Sequence, residues 1–79
     1  MVRFTLRDGR REASIRMEMP ENEKIEELRE TVEEYWGDVR VMLVRDYEVL
    51  DPDTNIGDYV DENDVVDVIP FMGTRITAR

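Results

Sequence analysis

The sequence predicts an α+β domain: one mixed sheet packed on one helix, in the order β-β-α-β-β-β. Three observations predict it. Four segments alternate apolar and polar residues with the two-residue period of a strand. One segment among them repeats apolar residues at helical spacing. Turn and helix-stop residues fall at the joints between these segments.

The first strand is "VRFTLR", in which Val2, Phe4 and Leu6 alternate with Arg3, Thr5 and Arg7. Asp8-Gly9 follows, a tight-turn signal because glycine tolerates positive φ. "REASIRMEM" then sets Ala13, Ile15, Met17 and Met19 against Glu12, Ser14, Arg16 and Glu18, completing a hairpin. Pro20 ends that strand. Asn22 is the expected helix N-cap, with Glu23, Glu26 and Glu27 placing negative charge at the positive end of the dipole. Ile25, Leu28, Val32 and Tyr35 or Trp36 then mark one apolar face, and Gly37 stops the helix.

"VRVMLVR" is the third strand, with Val39, Val41 and Leu43 on one face and Arg40, Met42 and Val44 on the other. The second face is less polar than a solvated face should be. Asp46-Tyr47 turns the chain into a short strand from Glu48 to Leu50. A polar loop and a helical turn or bend at Ile56 to Val60 lead to the last strand, Asp64 to Ile69, which Pro70 limits. The expected core is Ile15, Leu28, Leu43 and Val66 between helix and sheet. Residues 1–70 form the domain and 71–79 a C-terminal tail.

Composition narrows the function. The chain has no cysteine and no histidine, which removes the thiol nucleophile, the disulfide and the commonest general base. Its net charge of −9 opposes binding to nucleic acid or an anionic membrane. No apolar run is long enough to span a bilayer or serve as a signal peptide. The expectation is a cytoplasmic, monomeric, non-enzymatic protein without cofactor, whose partner is another protein. The helix carboxylates read as a solvated face, since catalytic pairs need a cleft that separates their pKa values. Asp51, Asp53, Asn55, Gly57, Tyr59 and Glu62 fall on the ligand spacing of an EF-hand loop. Ile56 occupies the position where that loop needs glycine, so the expectation is no metal site.

The order and spacing resemble the ubiquitin-like β-grasp family. The most specific stretch is "VRVMLVRDYEVLDPDTNIGDYVDENDVVDVI": a strand, a turn, a short strand ending in Leu50, then Ile56 before Asp58-Tyr59. "IRMEMPENEKIEEL" is similar to that family's second strand and helix start. Asp64, Val66, Val68 and Pro70 also resemble the last strand of the thiamine and molybdopterin sulfur carriers and of archaeal small modifiers. The terminal Gly-Gly of those carriers is missing, and "GTRITAR" follows Met72 instead.

Two functions follow from the resemblance. One is a ubiquitin-like adaptor or accessory subunit that docks proteins through an apolar patch on the sheet face. Strand parity turns Val66 and Val68 inward, because the opposite parity buries Asp67. The patch residues are then Met42, Val44 and Ile69, with Arg40 beside them. The alternative is a protein modifier or sulfur carrier, trimmed to expose Gly73 as its reactive end. A third expectation concerns the tail, whose "TRITAR" alternates well enough to cover the same face as an extra strand.

Overall fold

The computed structural model describes residues 1–37 and 40–70. β1 (Val2–Asp8) and β2 (Ala13–Met19) form an antiparallel hairpin followed by α1 (Ile25–Trp36). β3 (Val41–Arg45) and β4 (Glu48–Val49) form a second hairpin. A four-residue helix, α2 (Ile56–Tyr59), then precedes β5 (Val65–Pro70). The sheet order is β2-β1-β5-β3-β4. β5 thus lies at the centre, parallel to β1 and antiparallel to β3.

Strand alternation sorts the side chains. Phe4, Leu6, Leu43, Val66 and Val68 turn to one face and meet Ile25, Leu28 and Val32 of α1. Leu50, Ile56 and Val60 close the core beneath the connecting loop. Ile15 departs from the expected core. It is only half-buried, because β2 is an edge strand and Ile15 packs against the cluster from one side. Trp36 is half-buried against the core at the end of α1, where the Arg11 guanidinium lies 5.6 Å from its ring centre.

Two local expectations are corrected. Asn22 does not cap α1; the N-cap is Lys24, and no side chain caps the helix. The first amides instead find carbonyls far along the chain, Ile25 N–H donating to Thr54 O at 2.8 Å and Glu26 N–H to Pro52 O at 3.0 Å. In return Ile56 N–H and Gly57 N–H donate to Glu23 O and Glu21 O, at 2.7 and 2.8 Å. Gly57 permits this approach, since a Cβ there would lie 2.9 Å from the Glu21 Cβ and 3.1 Å from its carbonyl oxygen. The other correction is at the first hairpin, where Glu12 (φ 52°) supplies the positive φ rather than Gly9. Gly37, by contrast, ends α1 in the left-handed region at φ 76°, as a C-terminal glycine should.

The first hairpin loop is organised by a carboxylate. Asp8 is fully buried and receives Arg10 Nη2 at 2.9 Å and Arg11 Nη1 at 2.7 Å. The Arg10 backbone N–H also donates to its Oδ1 at 3.0 Å, an Asx-type turn. Burial alone would push the Asp8 pKa up, but the hydrogen bonds from Arg10 and Arg11 outweigh it, and the net shift is downward. Arg11 reaches further, donating to the Trp36 carbonyl at 3.1 Å and tying the loop to the end of α1.

Candidate interaction face

The other side of the sheet carries the residues that parity turns outward. Register sets them side by side. Met42 lies opposite Ile69, and Val44 lies between Asp67 on β5 and Val49 on β4. Arg7 on β1 lies opposite Asp67. Val65, Ile69 and Val49 are 39%, 40% and 57% exposed, and Met42 and Val44 are half-buried. An ordinary solvated face would hold polar residues at these positions.

Of the four residues expected to bind, three share this face. Met42 and Ile69 are direct cross-strand neighbours, and Val44 lies two pairs further along, on the same face. Arg40 sits exposed just before β3 and lines, with Met42, Arg29 and Leu50, a separate pocket of about 270 Å³ beside α1. Val44 and Ile69 instead line a shallow hollow of about 540 Å³ with Arg7, Tyr47, Val65 and Asp67. Gly73 and the tail expected to cover this face lie outside the described residues, as does Val39.

The polar half of the face is built on β1 and β2. Arg7 holds Asp67 through Nε to Oδ1 at 2.7 Å and Nη2 to Oδ2 at 3.3 Å, and the bond to Asp67 raises the Arg7 pKa. Arg3 holds Glu62 through its backbone N–H at 3.1 Å and Nε at 2.7 Å, which lowers the Glu62 pKa. Arg16 donates to two neutral groups, Thr5 Oγ1 and Asn63 Oδ1. In the loop that resembled a calcium site, the carboxylates serve the fold. Asp51 Oδ1 accepts the Asp53 N–H at 2.9 Å, and Glu62 belongs to Arg3. Ile56 is fully buried in the core.

Sequence reasoning did not place Tyr47, Val49 or Arg7 in the site. The β4 strand is two residues long, so no alternation could reveal that Val49 faces out. Tyr47 read only as a turn residue. Its signal was the pair Asp46-Tyr47, an aromatic where Asp-Gly is the usual occupant.

Among solved structures, the chain is similar to a de novo designed protein based on ubiquitin, with a TM-score of 0.74 and 17% identity over 90% of this chain and 89% of that one. The fold is a ubiquitin-like β-grasp. A second similar structure is that of ATBAG1 in complex with HSP70, with a TM-score of 0.76 and 11% identity over 98% of this chain. This chain spans 45% of that one. No family model and no curated relative matches the sequence. At these identities the likeness establishes the β-grasp architecture and leaves function to the surface.

Proposed function

We propose that this chain is a protein-interaction module, an adaptor or accessory subunit that docks a protein partner through the outward face of its sheet. Met42, Val44 and Ile69 form the centre of the contact, and Arg40 extends it along the start of β3. The module works by contact and not by catalysis. The observation that carries this reading is the row of outward apolar side chains on β3, β4 and β5, with Val49, Val65 and Ile69 each more than a third exposed. Contiguous exposed apolar surface is a feature of contact sites. The β-grasp architecture adds support, since one structure of similar fold is that of ATBAG1 in complex with HSP70.

The test is site-specific photo-crosslinking in native cells. A photoreactive residue at Val49 or Ile69 is expected to capture one partner protein, and one at Glu30 on α1 is not. Val44→Asp is expected to abolish capture while leaving the unfolding midpoint near that of the wild type, because a desolvated charge at an interface centre costs several kcal/mol. Equal capture from α1 and from the sheet face would refute the reading.

A further inference from the structure

The two edges of the sheet are unlike. β4 is two residues long and offers little backbone for pairing. β2 runs for seven residues in unbroken register with β1 and has no strand on its other side among the described residues. The backbone of β1 shows which groups of β2 face that side. Thr5 N–H donates to Asp64 O at 2.9 Å and Asn63 N–H to Arg3 O at 2.6 Å, so the odd residues of β1 bond toward β5. Phe4 and Leu6 then bond toward β2, to their opposite residues Met17 and Ile15. The N–H and C=O groups of Ser14, Arg16 and Glu18 are left pointing at the open edge. No turn or cap among the described residues uses them.

An exposed edge of this length is a template for another strand, and folds guard it with lysine, proline, a bulge or an inward charge. β2, "ASIRMEM", has none of these. Its side toward α1 carries Ile15, Met17 and Met19, each half-buried against the core. Its outward side carries Ser14, Arg16 and Glu18, all exposed. Glu18 has no hydrogen bond or ion pair among the described residues. Arg16 gives one Nη to Thr5 Oγ1 and the other to Asn63 Oδ1, and its charge reaches Glu62. A guanidinium has five N–H donors, so Arg16 keeps more for a carboxylate across the edge.

We infer that β2 pairs antiparallel with β2 of a second copy, in the register that sets Met17 against Met17. Only residues whose backbone groups face the edge can form the hydrogen-bonded pairs, so the possible registers differ by two residues. With Met17 on the two-fold axis, Arg16 lies opposite the second copy's Glu18, and Glu18 opposite its Arg16. Both pairs exchange backbone hydrogen bonds and set opposite charges face to face. On the helix side Met17 meets Met17, and Ile15 meets Met19. Moving the register by two residues sets Arg16 against Arg16 or Glu18 against Glu18, and like charges directly opposite are destabilising. Composition pointed to a monomer, and at −9 per chain two copies repel at long range. Physiological salt screens that repulsion beyond about 8 Å, and the edge contact lies inside that distance. The inference does not depend on the docking face, which lies on β3 and β5 and stays open on the same side of both copies.

The chain has no cysteine, so a single introduced thiol reports the distance to its own counterpart. In the proposed register residue 17 faces itself at about 4.5 Å between Cα atoms, within disulfide reach. Residues 16 and 18 lie more than about 7 Å from their counterparts, beyond it. Met17→Cys is therefore expected to form a covalent dimer under mild oxidation faster than Arg16→Cys or Glu18→Cys. Sedimentation of the full chain at physiological salt is expected to show a concentration-dependent dimer. Glu18→Arg is expected to weaken it about tenfold, since both opposed pairs become like charges. Adding Arg16→Glu is expected to restore it, because the swap returns opposite charges to each pair. The unfolding midpoint of each variant separates loss of fold from loss of contact. A monomer up to about 1 mM, fastest cross-linking at residue 16 or 18, or equal rates at all three positions would overturn the proposal. So would a dimer indifferent to Glu18→Arg, and its loss in Val44→Asp would move the contact to the docking face.

Discussion

The two faces of β5 contain nearly the same residues and do opposite things. Val66 and Val68 are 0% and 3% exposed, whereas Val65 and Ile69, their neighbours in sequence, are 39% and 40% exposed. Inward, each valine meets α1 and the other strands in one cluster. Outward, each borders a hollow with an arginine–aspartate pair across it. Hydrophobicity therefore has two uses within six residues of one strand. On one face it drives folding, and on the other it is left in water, where the fold has no need of it.

Substitutions can break that contrast, and the largest effect belongs inside. Leu43→Ala is expected to destabilise the domain by about 2–5 kcal/mol, measured by chemical unfolding. Leu43 is 2% exposed, so the deletion leaves a cavity between α1 and β3. A loss below about 0.5 kcal/mol would mean that the two faces are not distinguished by burial.

Asp8 sharpens the contrast with charge in place of hydrocarbon. Asp8→Ala is expected to cost about 1–3 kcal/mol, because it removes the acceptor of a buried, hydrogen-bonded cluster. The exposed Arg7–Asp67 pair should contribute far less, because solvent screens it. The sign with pH follows from the lowered Asp8 pKa. The folded state binds this proton less readily than the unfolded chain does. Its contribution is complete above the ordinary aspartate value of about 3.9 and is lost as pH falls through the lower, folded-state value. An acid titration of stability in wild type and Asp8→Ala should converge at low pH. Parallel curves would mean that the Asp8 pKa does not differ between the folded and unfolded states.

Gly57→Ala tests the inner side again, at the loop that meets α1. The added methyl would press on the Glu21 Cβ and carbonyl. The expected cost is about 1–3 kcal/mol by the overpacking mechanism. Thermal unfolding of this variant beside Gly9→Ala gives the control, because nothing lies within 4 Å of a Cβ at Gly9.

The smallest stability effect is expected outside. Val44→Asp should stay within about 0.5 kcal/mol of wild type in chemical unfolding, as surface substitutions usually do. A larger loss, matched by removal of residues 74–79, would favour a face covered by the chain's own tail.

Much of this division was legible in the sequence. The parity of "DVVDVI" sorted Val66 and Val68 from Val65 and Ile69, because one parity buries Asp67 and the other does not. The helix face and its glycine stop were read from Ile25, Leu28, Val32 and Gly37. The start of α1 was not legible. Asn22 has the right chemistry for a cap, but the acceptors come from Pro52 and Thr54, a long-range contact with no local pattern. The central position of β5 was not legible, because alternation alone does not say which strands are neighbours. Tyr47 escaped because propensity marks a turn without saying which side chain the turn presents. At Asp51–Glu62 the sequence offered EF-hand spacing with Ile56 in the glycine position, and in the structure Ile56 enters the core and Glu62 turns to Arg3.

The borrowed start of α1 also constrains how the chain can move and assemble. Ile25 and Glu26 depend on carbonyls almost thirty residues downstream, and Ile56 and Gly57 depend on carbonyls of residues 23 and 21. Neither segment can fray alone without stranding the other's amides. These four amides should therefore exchange with solvent as one cooperative unit, with similar protection, while the amides flanking Tyr47 open independently. A chain still emerging from its ribosome has no such acceptors until the loop has been synthesised. The first two amides of the helix thus find these partners only after the loop has closed, even though the rest of the helix is local.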